Sequence, residues 1–477
     1  MFLIYDTETT GLPKDYNAPI TNSDNWPRMV QISWQLHDDK GQLVEVKNYI
    51  IKPEGYEIPY AVVKVHGITT ERAEKQGVAL NMVLDEFNET LKKTTFVVGH
   101  NVEFDNNIIG AEFHRKDITT PLFERTSLDT KNESTNYCAI PGGKGGKFKW
   151  PKLGELHEKL FGEAFDMAHN AAADVEATAR CFLELVRLKV IEAGKLHFSE
   201  EQFDAFQQAN PDTIQAIGLN TQPYDSNDLD DSASSEANTQ PEIEESAATR
   251  KQVISGELKY THLHLHTPYS ILDGATSIPR LAEKALNDGM EAVAITDHGN
   301  MFGVKTFHKV LTGKGLKPIL GCEVYVARRG MHRKEAKIDG SGWHLILLAK
   351  NRTGYQNLMR MVSLSWLEGN YYKPRIDKEL LSQNSEGLIA LSACLGGEVN
   401  QKLMNESQGE AEKAALWYKD LFGEDFYLEL QRHQSGNPEL DSKVYEDQVF
   451  VNQKLLEMGH KYAIKVVASN DVHFVNK

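Results

Sequence analysis

Between Thr221 and Thr249 the chain carries eight acidic residues, no Lys or Arg and almost no large apolar side chain, so no hydrophobic core can run through this stretch. It is expected to be disordered over 221–250, and it divides the 477 residues into two parts that must each bury a core of their own. Half of the net charge of −16 sits in this one segment, so the acidic total is compatible with locally positive surfaces elsewhere. The expected layout is a first domain over 1–195, a linker over 196–257 and a second domain over 258–477.

The first part alternates short apolar runs (FLIY, QISWQL, TFVVGH) with amphipathic helical stretches, the pattern of an α/β domain. After the linker the rhythm restarts: HLHLH, VAITDH, ILGCEVYV, WHLILLA, GLIALSAC, FYLEL and IKVVASNDVH, mostly separated by helical segments. Seven strand-like runs in βα alternation predict a barrel-like fold. Cys138, Cys181, Cys322 and Cys394 are far apart and form no close pair, which argues against a disulfide framework and fits a reducing cytoplasm. Neither an export signal nor a membrane span is read from the sequence.

Asp6 and Glu8 follow the apolar run Phe2-Leu3-Ile4-Tyr5, so they are predicted two apart on a strand and facing the same way. Two carboxylates in one pocket can hold two divalent ions ~3.5 to 4 Å apart, the geometry that serves phosphodiester cleavage. A second strand, Phe96-Val97-Val98, runs into Gly99-His100-Asn101-Val102-Glu103-Phe104-Asp105, placing Asp105 at or just inside a helix. In His169-Asn170-Ala171-Ala172-Ala173-Asp174, Asn170 is the expected N-cap, Asp174 lies in the first helical turns and His169 in the loop before them. A loop histidine with an ordinary pKa near ~6.5 can take a proton from water at neutral pH.

DTETTGLP, VHGIT, GHNVEFD and AHNAAADVEATA resemble the motifs of the DEDDh 3′–5′ exonucleases, the family of the proofreading epsilon subunit of bacterial DNA polymerase III. The resemblance implies a ribonuclease H-like fold, with Asp6, Glu8, Asp105 and Asp174 holding two ions and His169 as general base. All-oxygen ligation favours Mg²⁺ or Mn²⁺ over zinc. Proposed contacts to nucleic acid are Thr9 and the segment PGGKGGKFKWPK, where Lys147, Phe148, Lys149 and Trp150 can meet phosphates and stack on unpaired bases. The same segment also reads as a solvated β-hairpin.

In the second part His262, His264 and His266 alternate with leucines and share one strand face. Asp273, His298, Glu323, His344, Cys394, Asp471 and His473 follow at or just beyond the ends of later strands, where barrels assemble their sites. HLHLHTPYSILDG, AITDHGNMFG, YYKPRID, LSACLGGEV and NDVHF resemble the polymerase and histidinol phosphatase (PHP) domain of DNA polymerase III alpha subunits, a distorted (β/α)7 barrel. The resemblance implies His264, His266, Asp273, His298, Glu323, His344, Cys394, Asp471 and His473 as ligands of two or three Zn²⁺ or Mn²⁺ ions, with His262 outside the set.

Together the two parts resemble the N-terminal portion of an alpha subunit with a fused epsilon-like proofreader. That implies DNA 3′ ends, the remainder of the polymerase and the replisome clamp as partners, and polymerase parts lying beyond the four residues that follow His473. The competing reading is an RNA-trimming or DNA-repair exonuclease whose PHP domain serves as a scaffold.

Overall fold

The computed structural model describes residues 1–163, 170–217 and 260–475. The acidic segment, with the disorder expected for it, and His169 lie outside the described residues. The chain divides into two compact units, Met1–Glu236 and Ala237–Lys477.

The first unit is built on a five-stranded sheet of β1 (Phe2–Thr9), β2 (Met29–His37), β3 (Leu43–Ile50), β4 (Phe96–Gly99) and β5 (Thr126–Asp129). Their order is β3-β2-β1-β4-β5; β2 is antiparallel to both its neighbours, whereas β4 runs parallel to β1 and β5 parallel to β4. The central strand β1 is apolar on both faces because both are covered. Phe2 and Ile4 join one core with Phe182 and Phe206, while Leu3 and Tyr5 join a second core with Phe87 and Phe113. This is the ribonuclease H-like layering expected from the sequence.

The helix Ala171–Arg187 buries Val175, Ala179, Phe182 and Val186, spaced at one turn, against that sheet. Its opening residues Ala171, Ala172 and Ala173 are buried as well, and their small side chains let the helix N-terminus approach the backbone of β1. The Asn170 side chain accepts from Ala172 N at 3.0 Å, the N-cap the sequence predicts, which fixes Asp174 in the first turn. Beyond the boundary expected at 195, the helix Glu200–Ala209 inserts Phe206 into the core, and Ile214 N donates to Glu184. The packed chain therefore continues to Ile214, and the exposed Ile217 is still tied back by its amide donating to Glu176.

The second unit contains β6 (Ala292–Ile295), β7 (Lys317–Ala327), β8 (Gly342–Ala349), β9 (Arg375–Ile376), β10 (Leu388–Leu391), β11 (Phe426–Leu430) and β12 (Lys465–Ala468). The sheet order is β12-β11-β10-β8-β7-β6, with β9 on the side of β7. Contrary to uniform βα alternation, β8 is antiparallel to both β7 and β10. No helix among the described residues links β7 to β8, and a direct link between neighbours reverses the strand.

HLHLH is not a regular strand, yet it hydrogen-bonds on both sides. Ala294 N reaches His262 O at 2.8 Å and Thr296 N reaches Leu265 O at 2.9 Å; on the other side His266 N reaches Val472 O at 2.8 Å. This segment is the stave that closes the sheet into a distorted barrel. From the YYKPRID motif, the fully buried Arg375 donates to the carbonyls of Gly369, Met331, Arg333 and Asp339 and so pins the loop between β7 and β8.

Candidate functional site

In the first unit, β1 carries Asp6 and Glu8 to the carboxyl end of the sheet and the helix N-terminus brings Asp174 to meet them. Ligand oxygens of Asp6, Glu8 and Asp174 all lie within 4.8 Å of one another. Asp105, nearly fully buried in the first turn of the helix Val102–Arg115, stands beside this trio and outside that radius. Its Oδ1 accepts from both the hydroxyl (2.7 Å) and the amide (3.1 Å) of Thr7, which fixes the carboxylate against β1.

Crowding like charges in a dry site favours their protonated forms. Burial, then Asp105, Asp174 and Glu8, push the Asp6 carboxyl well above the usual range. Burial, then Asp174 and Asp105, push Glu8 up to about 8. For Asp105, burial outweighs the bonds from Thr7 and raises it to about 7. A cluster of acids that resist ionisation in the absence of a cation, with oxygens at this spacing, fits hard divalent ions.

The other residues expected to meet nucleic acid divide. Thr9 is buried and its hydroxyl donates to Gly11 O at 2.7 Å. Phe148 and Trp150 are exposed, as is Lys147, while Lys149 pairs with Glu155 at 3.0 Å.

In the second unit the described residues form three overlapping groups with ligand atoms within 4.8 Å: His266, His298 and His473; His264, His266, Glu323 and Asp471; and Glu323, His344 and Cys394. Glu323 is fully buried at their centre, 3.0 Å from His264 Nε2, 2.7 Å from His298 Nδ1 and 3.0 Å from His344 Nδ1. Asp273 lies outside the groups but reaches His298 Nε2 at 3.3 Å and His473 Nε2 at 3.9 Å. Eight of the nine expected ligands thus converge and the ninth borders them. The half-buried His262 packs edge-on against Tyr260 instead.

Three residues that sequence reasoning did not single out orient the imidazoles. His264 Nδ1 donates to Glu429 at 2.8 Å, and His266 Nδ1 to Ser270 Oγ at 3.0 Å, which in turn donates to Asp297 at 2.8 Å. With both Nδ1 atoms engaged as donors, both Nε2 atoms present lone pairs to the pocket. Asp471 Oδ1 lies 3.1 Å from each of those Nε2 atoms and is buried without a hydrogen-bond donor. Three lone-pair atoms facing one point is an arrangement that a cation reconciles, and the mixed N, O and S donors suit a borderline-soft one. Glu429→Ala is expected to weaken metal binding by about 10–100-fold, because the histidine loses the partner that sets its tautomer. Competition with a zinc chelator measures this.

Residues 3–182 match the exonuclease family and residues 262–433 match the PHP domain. The chain joins an exonuclease domain to a PHP domain. Among curated relatives, DNA polymerase III subunit alpha of Borreliella burgdorferi is 43% identical over 220 residues, covering 46% of this chain and 18% of that one. The Treponema pallidum protein of the same name is 44% identical over 222 residues (46% and 18%), and that of Thermus aquaticus 45% over 228 residues (47% and 18%). The chain therefore spans under a fifth of the length of these relatives. A solved complex of E. coli exonuclease I with single-stranded DNA is 23% identical, with a TM-score of 0.32, covering 41% of this chain and 42% of that one. No helix among the described residues is long and apolar enough to cross a membrane.

Proposed function

We propose that the exonuclease domain hydrolyses DNA from the 3′ end with two Mg²⁺ or Mn²⁺ ions held by Asp6, Glu8, Asp105 and Asp174. The PHP domain in this reading binds two or three Zn²⁺ or Mn²⁺ ions, and the pair serves proofreading in a polymerase III alpha-type replicative enzyme, with the rest of the polymerase and the replisome clamp as partners. The observation that carries the reading is the convergence of Asp6, Glu8 and Asp174 beside Asp105 at one end of the sheet. Bound divalent ions supply the positive charge that phosphodiester hydrolysis requires around the attacking and leaving oxygens. The chain's own residues do the rest: Thr7 holds Asp105 in place, the alanines at the helix start set the distance of Asp174 from β1, and His169, by its motif, takes the proton from the attacking water. Incubating the chain with a 3′-mispaired primer and Mg²⁺ tests the proposal directly. Shortening from the mispaired 3′ end is expected, and an intact primer overturns it.

The raised carboxylates carry a second expectation. In metal-free buffer the folded state keeps protons on Glu8 and Asp105 up to about 8 and about 7, whereas the unfolded chain releases them in the ordinary carboxylate range. The folded state then binds more protons, so the stability of this domain falls as pH rises from about 4 to about 8. Mg²⁺ replaces those protons, and at 100 times its dissociation constant it contributes about 2.7 kcal/mol. A rise in Tm of about 5–10 °C with Mg²⁺ is expected at pH 8 and a smaller one at pH 6, read by calorimetry on the full chain.

A further inference from the structure

The segment from Ile140 to Trp150 is a glycine-rich hairpin. Its turn is closed by Lys149 N donating to Ile140 O at 2.7 Å, and a Cβ on Gly143 would fall 2.4 Å from the carbonyl oxygens of Lys147 and Phe148. Phe148 and Trp150 flank the bridged Lys149 on the return arm and line one and the same cavity. They are 46% and 63% exposed and border an open cavity of about 870 Å³. Large aromatic rings left to water beside a cavity call for an occupant. The ammonium of Lys131, which also lies 3.9 Å from Asp129 Oδ2 and donates to Asn101, sits 4.9 Å from the centre of the Trp150 ring and adds positive charge beside it.

The hairpin is anchored to the strand–helix junction that leads to Asp105. His100 Nε2 donates to Pro151 O at 3.1 Å and His100 Nδ1 meets Thr130 at 2.9 Å, at the junction between β4 and the helix that carries Asp105. Ile4 of β1 pairs with Val98 of β4 in parallel, so in register Asp6 is level with His100. Two strand spacings of about 4.8 Å separate β1 from the β5 edge where Thr130 begins. That is about 10 Å, the length of about three stacked nucleotides.

We propose that Phe148, Trp150 and Lys131 form a stacking platform for the unpaired bases a few nucleotides from a DNA 3′ end, and that it makes single-stranded and mispaired ends the preferred substrates. Unpaired bases offer free faces to the rings and phosphates to the lysines, whereas the bases of a duplex are already stacked on each other. The proposal rests on the exonuclease reading above and specifies which ends that site takes.

The test compares the full chain with Phe148→Ala/Trp150→Ala, two exposed positions whose loss leaves the core intact. Binding of fluorescein-labelled dT12 is followed by anisotropy in EDTA, where nothing is hydrolysed. Hydrolysis with Mg²⁺ is followed on dT12, on a fully paired duplex end and on the p-nitrophenyl ester of thymidine monophosphate. Expected are a Kd for dT12 raised about tenfold to a hundredfold, a KM that follows it, and unchanged turnover of the ester and the duplex end, with Trp150→Phe close to wild type. Equal dT12 binding by wild type and double variant overturns the platform and leaves a solvated hairpin. Absence of hydrolysis by the wild type would instead sink the exonuclease reading, while the EDTA arm still decides the platform.

Discussion

Asp6→Ala lowers the rate of 3′-end hydrolysis with Mg²⁺ by at least about a thousandfold, equivalent to about 4 kcal/mol of barrier. Asp6 is the carboxylate on which the repulsion of Asp105, Asp174 and Glu8 all converge, so it sits at the middle of the acidic cluster that would hold the divalent ions. The same repulsion predicts the opposite sign for stability. Removing a buried, crowded carboxylate relieves the metal-free domain, so the variant is expected to melt at or above the wild-type temperature in EDTA and to lose most of the Mg²⁺-dependent rise. Single-turnover cleavage of a 3′-mispaired primer, paired with calorimetry, reads both effects. A folded variant that cleaves at near the wild-type rate contradicts the assignment.

His264→Ala/His266→Ala empties the PHP centre and lowers the stability of that domain. The two imidazoles belong to two of the three ligand groups, and His266 is shared between those two. Ions that bind only the folded chain stabilise it by about 4 kcal/mol at 1,000 times their dissociation constant, so a Tm loss of about 10 °C is expected. Metal content by mass spectrometry should fall in step. Exonuclease turnover on short single strands should stay within about twofold, because the acids that serve it form a separate oxygen-only group. A wild-type PHP domain without metal would reduce its role to scaffolding, and loss of exonuclease activity in a folded double variant would show that the two sites communicate.

Sequence reading reached furthest where a residue's role follows from local periodicity. Asp6 and Glu8 were legible because a strand repeats every two residues, and Asp174 because Asn170 marks a helix start. The nine residues expected as PHP ligands were legible only as motifs; eight of them converge and Asp273 borders them, and HLHLH, read as a strand, is instead an irregular stave held from both sides. Strand direction was not legible: the reversal of β8 depends on which neighbours pair, and apolar runs carry no sign of it. Nor was the packing of residues 196–214, since EEQFDAFQQA is polar apart from two phenylalanines and two alanines, and only Phe206 among these is fully buried. Glu429 and Ser270 escaped notice because an orienting residue has no spacing of its own and is recognised only by what it touches.

The closing stave has a consequence for how the PHP domain comes into being. His264 meets Glu429 across 165 residues of chain, and the His266 amide donates to the carbonyl of Val472. A ribosome delivers the first histidines long before the residues that complete their pocket. While the chain is being made, the early imidazoles are loose ligands, and the barrel can lock only after nearly the whole domain has emerged. Contacts this distant in sequence form late and slowly. Metal capture is thereby tied to completion of the domain, so the centre matures as a final staple, and a chain released short of Asp471 lacks the carboxylate that both early histidines face.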